Sequence, residues 1–152
     1  MRHGEAATPE QDARRPLTAA GRAAIERVAW RAATASIRPD AIYHSGILRA
    51  HQTADILARH LAASEKVRAR EGLEPDDAVP PVAEWLFGLR NQDHTLVLVG
   101  HLPFMDRLAS MLLVGDPEAQ VLNFQTGTLV KLTPGPSGAR FSVSWMLSPS
   151  VV

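Results

Sequence analysis

An α/β sandwich built on a mostly parallel sheet is the fold class this sequence predicts. Short apolar runs alternate along the chain with stretches of helical periodicity. The strongest run, Thr95-Leu96-Val97-Leu98-Val99, is unbroken, as a strand covered on both faces requires. Near the end, Pro134-Gly135-Pro136-Ser137-Gly138 separates two strand-like segments and predicts an antiparallel hairpin at one edge. The expected architecture is therefore three layers, α/β/α, with a central sheet that is parallel except at that edge.

The elements follow in order. Residues 5–16 are polar and hold Pro9 and Pro16, so they read as a loop. A helix starts at about Thr18, which can cap it, and Ala24, Ile25, Val28, Ala29 and Ala32 form its apolar stripe. Pro39 closes that segment, and Ala41-Ile42-Tyr43 reads as a buried strand ending at His44-Ser45-Gly46. A second helix is expected over 48–63, with Leu48, Ile56, Leu57 and Leu61 on one side. Residues 67–73 read as a short strand, 74–81 as an acidic, proline-rich loop, and 82–89 as the core of a third helix. After the strand at 95–99, a fourth helix over 103–113 carries Phe104, Leu108, Met111 and Leu112. Residues 128–132 and 141–146 are the hairpin strands.

The bulk numbers bound the function. A chain of 152 residues fits one domain, here 1–152, with a sizeable core. Sixteen basic residues balance sixteen acidic ones, which gives no broad nucleic-acid surface, so anion binding must come from local arginine clusters. With no cysteine there is neither a disulfide framework nor a thiolate metal site. No apolar run reaches membrane-spanning length and the first residues hold no signal-type apolar core, so a cytoplasmic protein is expected. The alanine and arginine bias resembles that of a GC-rich bacterial genome.

Three segments could carry chemistry. In Arg2-His3-Gly4, a neutral imidazole is a competent nucleophile toward phosphorus, the arginine offers fixed donors to phosphate oxygens, and the glycine lets backbone approach the phosphoryl group. Alone, the tripeptide reads more readily as a chance string at a terminus. Residues 45–54 sit at a strand end and open a helix, where the dipole favours anions and Arg49 adds a full positive charge. An arginine in a first helical turn is poorly placed for a purely structural role, whereas His51 reads as a surface histidine. Gly100-His101 follows the buried strand and points His101 to the same rim, either to stabilise transferring phosphoryl oxygens as imidazolium, to hold His3 in its attacking tautomer, or simply to cap the strand. In an open α/β sheet, ligands sit at the carboxyl ends of the strands.

Together these segments resemble the histidine phosphatase, or phosphoglycerate mutase-like, superfamily. Its RHG motif stands as Arg2-His3-Gly4, its S-x-x-x-R-A-x-Q-T-A pattern as Ser45 through Ala54, and its later G-H motif as Gly100-His101. Arg15-Pro16-Leu17-Thr18 with Gly21 resembles the family's entry to its first helix. The short loop around Gly72-Leu73-Glu74-Pro75 and the segment His101-Leu102-Pro103 are most similar to the SixA-type phosphohistidine phosphatase branch.

The resemblance implies that His3 takes the phosphoryl group as a transient phosphohistidine, with Arg2, Arg49 and His101 neutralising its oxygens. It implies substrate contacts from Arg2, Arg49, Arg15 and Gly4, and neither cofactor nor metal. The implied substrate is phosphohistidine on a protein, such as a histidine-containing phosphotransfer domain, or else a small phosphate ester, with no nucleic-acid or membrane partner. A short lid leaves the site open, which suits a phosphorylated side chain on a partner protein. A small-metabolite phosphomonoesterase or mutase and a non-catalytic phosphate-binding module are the competing expectations. Glu71, Glu74 and Asp76 are positional candidates for a general acid, with Glu5 a weaker one, and Thr126 is a candidate lining residue. The family sets an apolar strand directly before its RHG motif. This sequence opens at Met1 instead, so the first strand is expected to be truncated and an upstream Val/Ile-rich extension to be stabilising.

Overall fold

The structure, a computed structural model, describes residues 1–135 and 138–152. Three parallel strands form the main sheet in the order β2-β1-β3: β1 (Ala41–His44), β2 (Val67–Ala69) and β3 (Leu96–Val99). Their side chains alternate between faces. Ile42, Val97 and Val99 pack with buried residues of α1 (Ala19–Thr34) and α2 (Leu48–His60). Tyr43 and Leu98 turn to the opposite face, against α3 (Val79–Leu89) and α4 (Phe104–Val114). This period-2 alternation between two apolar helix layers produces the three-layer sandwich.

The hairpin strands β4 (Leu129–Pro134) and β5 (Phe141–Leu147) pair antiparallel as expected, but as a sheet of their own rather than an edge of the first. Of the turn that joins them, Pro136 and Ser137 lie outside the described residues. The N-terminal residues link the two sheets. Arg2 makes a single parallel bridge with Gly100 and donates its N–H to the carbonyl of Thr128 at 3.1 Å. His3 donates to Gly100 O at 3.0 Å, and Gly127 donates back to His3 O at 2.9 Å. Beyond Met1, a largely apolar groove of about 490 Å³ separates β3 from β4, lined among others by Leu96, Leu98, Leu108, Leu129, Leu132 and Phe141. The Met1 amine ends at this groove, donating to Leu98 O at 2.7 Å, and burial pulls its pKa from 8.0 to about 5.

Thr18 caps α1 by accepting the Gly21 N–H at 2.9 Å. The loop before it crosses the helix so closely that a Cβ on Gly21 would stand 2.1 Å from the Glu5 carbonyl oxygen. Three boundaries differ from the periodicity. α2 stops at His60 because Ala62 turns left-handed, with φ of 52°, and Ala63 donates to Ala58 O instead of continuing the ladder. β2 ends at Ala69 because the chain leaves the sheet once Arg70 N–H has reached His44 O, and Gly72 turns it at φ of 84°. α3 begins at Val79, ahead of the expected 82, because Pro80 and Pro81 occupy its first turn, where no backbone N–H is needed.

Candidate active site

The carboxyl rim of the parallel sheet gathers the predicted residues. A pocket of about 370 Å³ is lined by Arg2, His3, Arg15, Arg49 and His101 together. His3 follows the Arg2–Gly100 bridge, Arg49 lies in the first turn of α2, whose N-cap Ile47 provides no side-chain cap, and His101 leaves the end of β3. The helix start and its arginine thus turn the same positive end toward the pocket.

His3 is held in one tautomer. Its Nδ1–H donates to Gly4 O at 2.6 Å, which leaves the Nε2 lone pair facing the pocket, where Arg49 Nε–H donates to it at 3.2 Å. Burial, helped by Arg49, Arg2 and Arg15, lowers the His3 pKa from 6.5 to about 4, against the raising effect of the Gly4 carbonyl. The imidazole is therefore neutral near pH 7 and its lone pair is available. The tautomer is set by the backbone, not by His101 as one reading of the sequence had it. The surroundings of His101 disfavour the imidazolium that the sequence reading offered. Burial first, then His3, Arg49, Arg15 and Arg2, lowers its pKa to about 3. The two imidazole rings lie 4.9 Å apart, tilted by 51°.

The arginines are partly desolvated, and burial lowers the pKa of both Arg2 and Arg49 from the usual range. Arg2 anchors one guanidinium nitrogen on Phe124 O at 2.7 Å, while its Nε is buried without a partner. Arg15 adopts a left-handed backbone, φ of 50°, and braces its Nε on Ala7 O at 3.1 Å. Gly4 is not among the residues that line this pocket; its N–H goes to Thr53 Oγ1 at 3.1 Å, and a Cβ there would meet Ile25 Cγ1 at 2.8 Å. Packing against α1 therefore requires glycine here.

Residues 1–77 match the histidine phosphatase superfamily, branch 1. The chain belongs to the histidine phosphatase superfamily. An uncharacterized protein of Picosynechococcus sp. is 32% identical over 139 residues, covering 89% of this chain and 83% of that one. Human mitochondrial serine/threonine-protein phosphatase PGAM5 is 41% identical over 76 residues, which covers 47% of this chain but only 25% of that protein. The structure of the protein histidine phosphatase SixA complexed with tungstate superposes with a TM-score of 0.83 at 29% identity, covering 99% of this chain and 95% of that one. The phosphoglycerate mutase-like α/β fold expected from the sequence is thereby established.

Within this member of the superfamily the acid candidates separate. Glu71, Glu74 and Asp76 do not line the pocket, although Pro75 between them does. Glu5 does line it, with its carboxylate accepting from Thr18 Oγ1 at 2.8 Å, and Thr126 lines it as anticipated. His51 is a half-exposed histidine, stacked on His44 with ring centroids 4.5 Å apart and facing Asp55 across 3.4 Å. Sequence reasoning gave no role to Thr53 or Ser45. Thr53 Oγ1 donates to Arg49 O at 2.7 Å while accepting from Gly4, so it ties the loop of His3 and Gly4 to the helix that carries the arginine. Ser45 Oγ lies 2.7 Å from His101 Nε2. The signal for both was their place inside the Ser45–Ala54 pattern. No helix among the described residues is long and apolar enough to cross a membrane.

Proposed function

We propose that this histidine phosphatase hydrolyses phosphohistidine on a partner protein through a covalent intermediate on His3. The observation that carries the reading is the single His3 tautomer, with Nε2 bare of hydrogen inside a pocket of three arginines and His101. In the first step the Nε2 lone pair bonds to phosphorus while the bond from phosphorus to the leaving imidazole breaks. Arg2, Arg49 and Arg15 offset the charge on the three equatorial oxygens, and His101 adds a donor. In the second step water takes the phosphoryl group from His3, which releases inorganic phosphate and restores the free imidazole. SixA, the structural relative, was solved with tungstate, a tetrahedral oxyanion of the shape this pocket would hold.

The substrate class follows from the leaving group. Glu5 is the only carboxylate among the pocket-lining residues, and it is engaged by Thr18. An alkoxide needs a strong proton donor as it leaves, whereas imidazole leaves with far less help. The match to a serine/threonine-protein phosphatase favours a second reading, a phosphoserine or phosphothreonine protein substrate. Incubation with a 32P-labelled phosphohistidine protein and, separately, a phosphoserine protein discriminates the two. We expect faster release from phosphohistidine, label trapped on His3 after acid-free quenching, and no label in His3→Ala. Release that survives His3→Ala overturns the nucleophile, and faster release from phosphoserine overturns the substrate class.

A further inference from the structure

His101 is 1% exposed, and its Nδ1 is sealed from solvent without a hydrogen-bond partner. Only Nε2 is left to act, and Ser45 Oγ sits on it at 2.7 Å. That oxygen also accepts the Ile47 N–H at 3.4 Å, at the entry to α2. A neutral imidazole carries one ring proton, so two arrangements compete. With the proton on Nδ1, a buried donor has no acceptor. With the proton on Nε2, the donor reaches Ser45 Oγ and the orphan is a lone pair. Orphaned buried N–H groups are the rarer and costlier of the two.

We propose that Ser45 is a positioning residue that fixes His101 with its proton on Nε2, where Ser45 Oγ and an arriving phosphoryl oxygen share that N–H as a three-centre donor, so that the ring does not present a second lone pair beside His3. Without it, the ring is free to present a bare nitrogen to an anion, which repels. The pairing also closes the span between strand ends: Ser45 follows β1 and His101 follows β3, and these strands are hydrogen-bonded neighbours. Ser45 therefore holds the ring against the same rim from which α2 carries Arg49. The inference rests on the phosphatase reading for its consequence in catalysis, but not for the tautomer itself.

Two measurements test it. Long-range 15N–1H spectra of the whole labelled protein without ligand, with the His101 signals identified by their loss in His101→Asn, report the ring directly. We expect Nε2 protonated and Nδ1 bare in the unsubstituted protein and in Ser45→Thr, and a mixture in Ser45→Ala. With a phosphohistidine protein as substrate, kcat of Ser45→Ala should fall by about 10- to 100-fold, the range for loss of a supporting hydrogen bond, and Ser45→Thr should restore most of it. A proton on Nδ1 in the unsubstituted protein overturns the proposal, as does unchanged kcat in Ser45→Ala. Should Ser45→Ala not fold, the spectrum of the unsubstituted protein decides. Absence of turnover by that protein would instead overturn the functional reading, while the spectrum still decides the role of Ser45.

Discussion

Compared with a polypeptide made to begin at Met1, one carrying a Val/Ile-rich hexapeptide before that residue is expected to be more stable, and by more in acid than in base. The groove between β3 and β4 continues the line of residues 1–3, and beyond their single bridge, among the described residues, β3 pairs only with β1 and β4 only with β5. Burying each added Val or Ile contributes roughly 2 kcal/mol, above the roughly 1.5 kcal/mol needed to order a residue, and ladder hydrogen bonds add about 1 kcal/mol each. The sign is therefore favourable, and for this chain length each kcal/mol raises Tm by roughly 2–4 °C. The α-amine supplies the pH dependence. Its pKa is 8.0 when unfolded and about 5 when folded, so the unfolded state binds more protons between those values. Folding is penalised by about 3 kcal/mol at pH 6 and by almost nothing at pH 9. Extension turns the amine into an amide and removes that penalty, while all other titrations cancel between the two chains. Urea melts at pH 6 and pH 9 should show a gain larger by about 2–3 kcal/mol at pH 6. An equal gain at both pH values would refute the buried amine, and no gain at either would refute the groove as a strand site.

Three further outcomes follow from the geometry. On the proposed mechanism only the neutral His3 ring attacks, and its pKa lies at about 4, so kcat/KM, corrected for the substrate phosphoryl group's own titration, should stay level as pH falls toward 5 and drop near 4; a residual acid limb centred near 6.5 would refute the desolvated nucleophile. Thr53→Val keeps the shape but strands the Gly4 N–H, while the Arg49 carbonyl keeps its bond within α2, so urea denaturation should show a loss of about 1–3 kcal/mol, and a loss below half of one would contradict the tie between loop and helix. Gly21→Ala drives a Cβ into the Glu5 carbonyl and should cost about 3 kcal/mol or more, whereas Gly88→Ala, which meets nothing within 4 Å inside α3, should be neutral or slightly stabilising in the same thermal melts.

The strands and helices were legible where burial imposes a period. The unbroken 95–99 run and the Ile25–Ala32 stripe each sit where their pattern put them, because each faces a core that tolerates only apolar side chains. Boundaries were less legible. The end of α2 depends on a left-handed Ala62, and alanine carries no signal for that conformation. The hairpin's separation from the parallel sheet was also hidden, since it depends on what lies between β3 and β4 and not on either strand's own residues. At the site, His3, Arg2, Arg49, Arg15 and His101 could be named from their turn positions and from the family pattern, and they line one pocket. The packing demand on Gly4 was not legible, because it comes from Ile25 and Leu17, distant in sequence. Ser45 and Thr53 were passed over because a hydroxyl's role is set by its partner, and both partners, Gly4 and His101, lie about fifty residues away.

The hydrogen bond from Arg49 Nε to His3 Nε2 has a consequence for the resting protein. The atom that would attack phosphorus is already occupied by a cation. A neutral electrophile drifting into the pocket finds no exposed lone pair and little to displace the guanidinium. An oxyanion carries the means of unmasking the nitrogen, since its own charge draws Arg49 away. On the proposed mechanism, reactivity would thus be withheld from chemicals that lack negative charge, and the selection would be made before any bond to His3 begins to form.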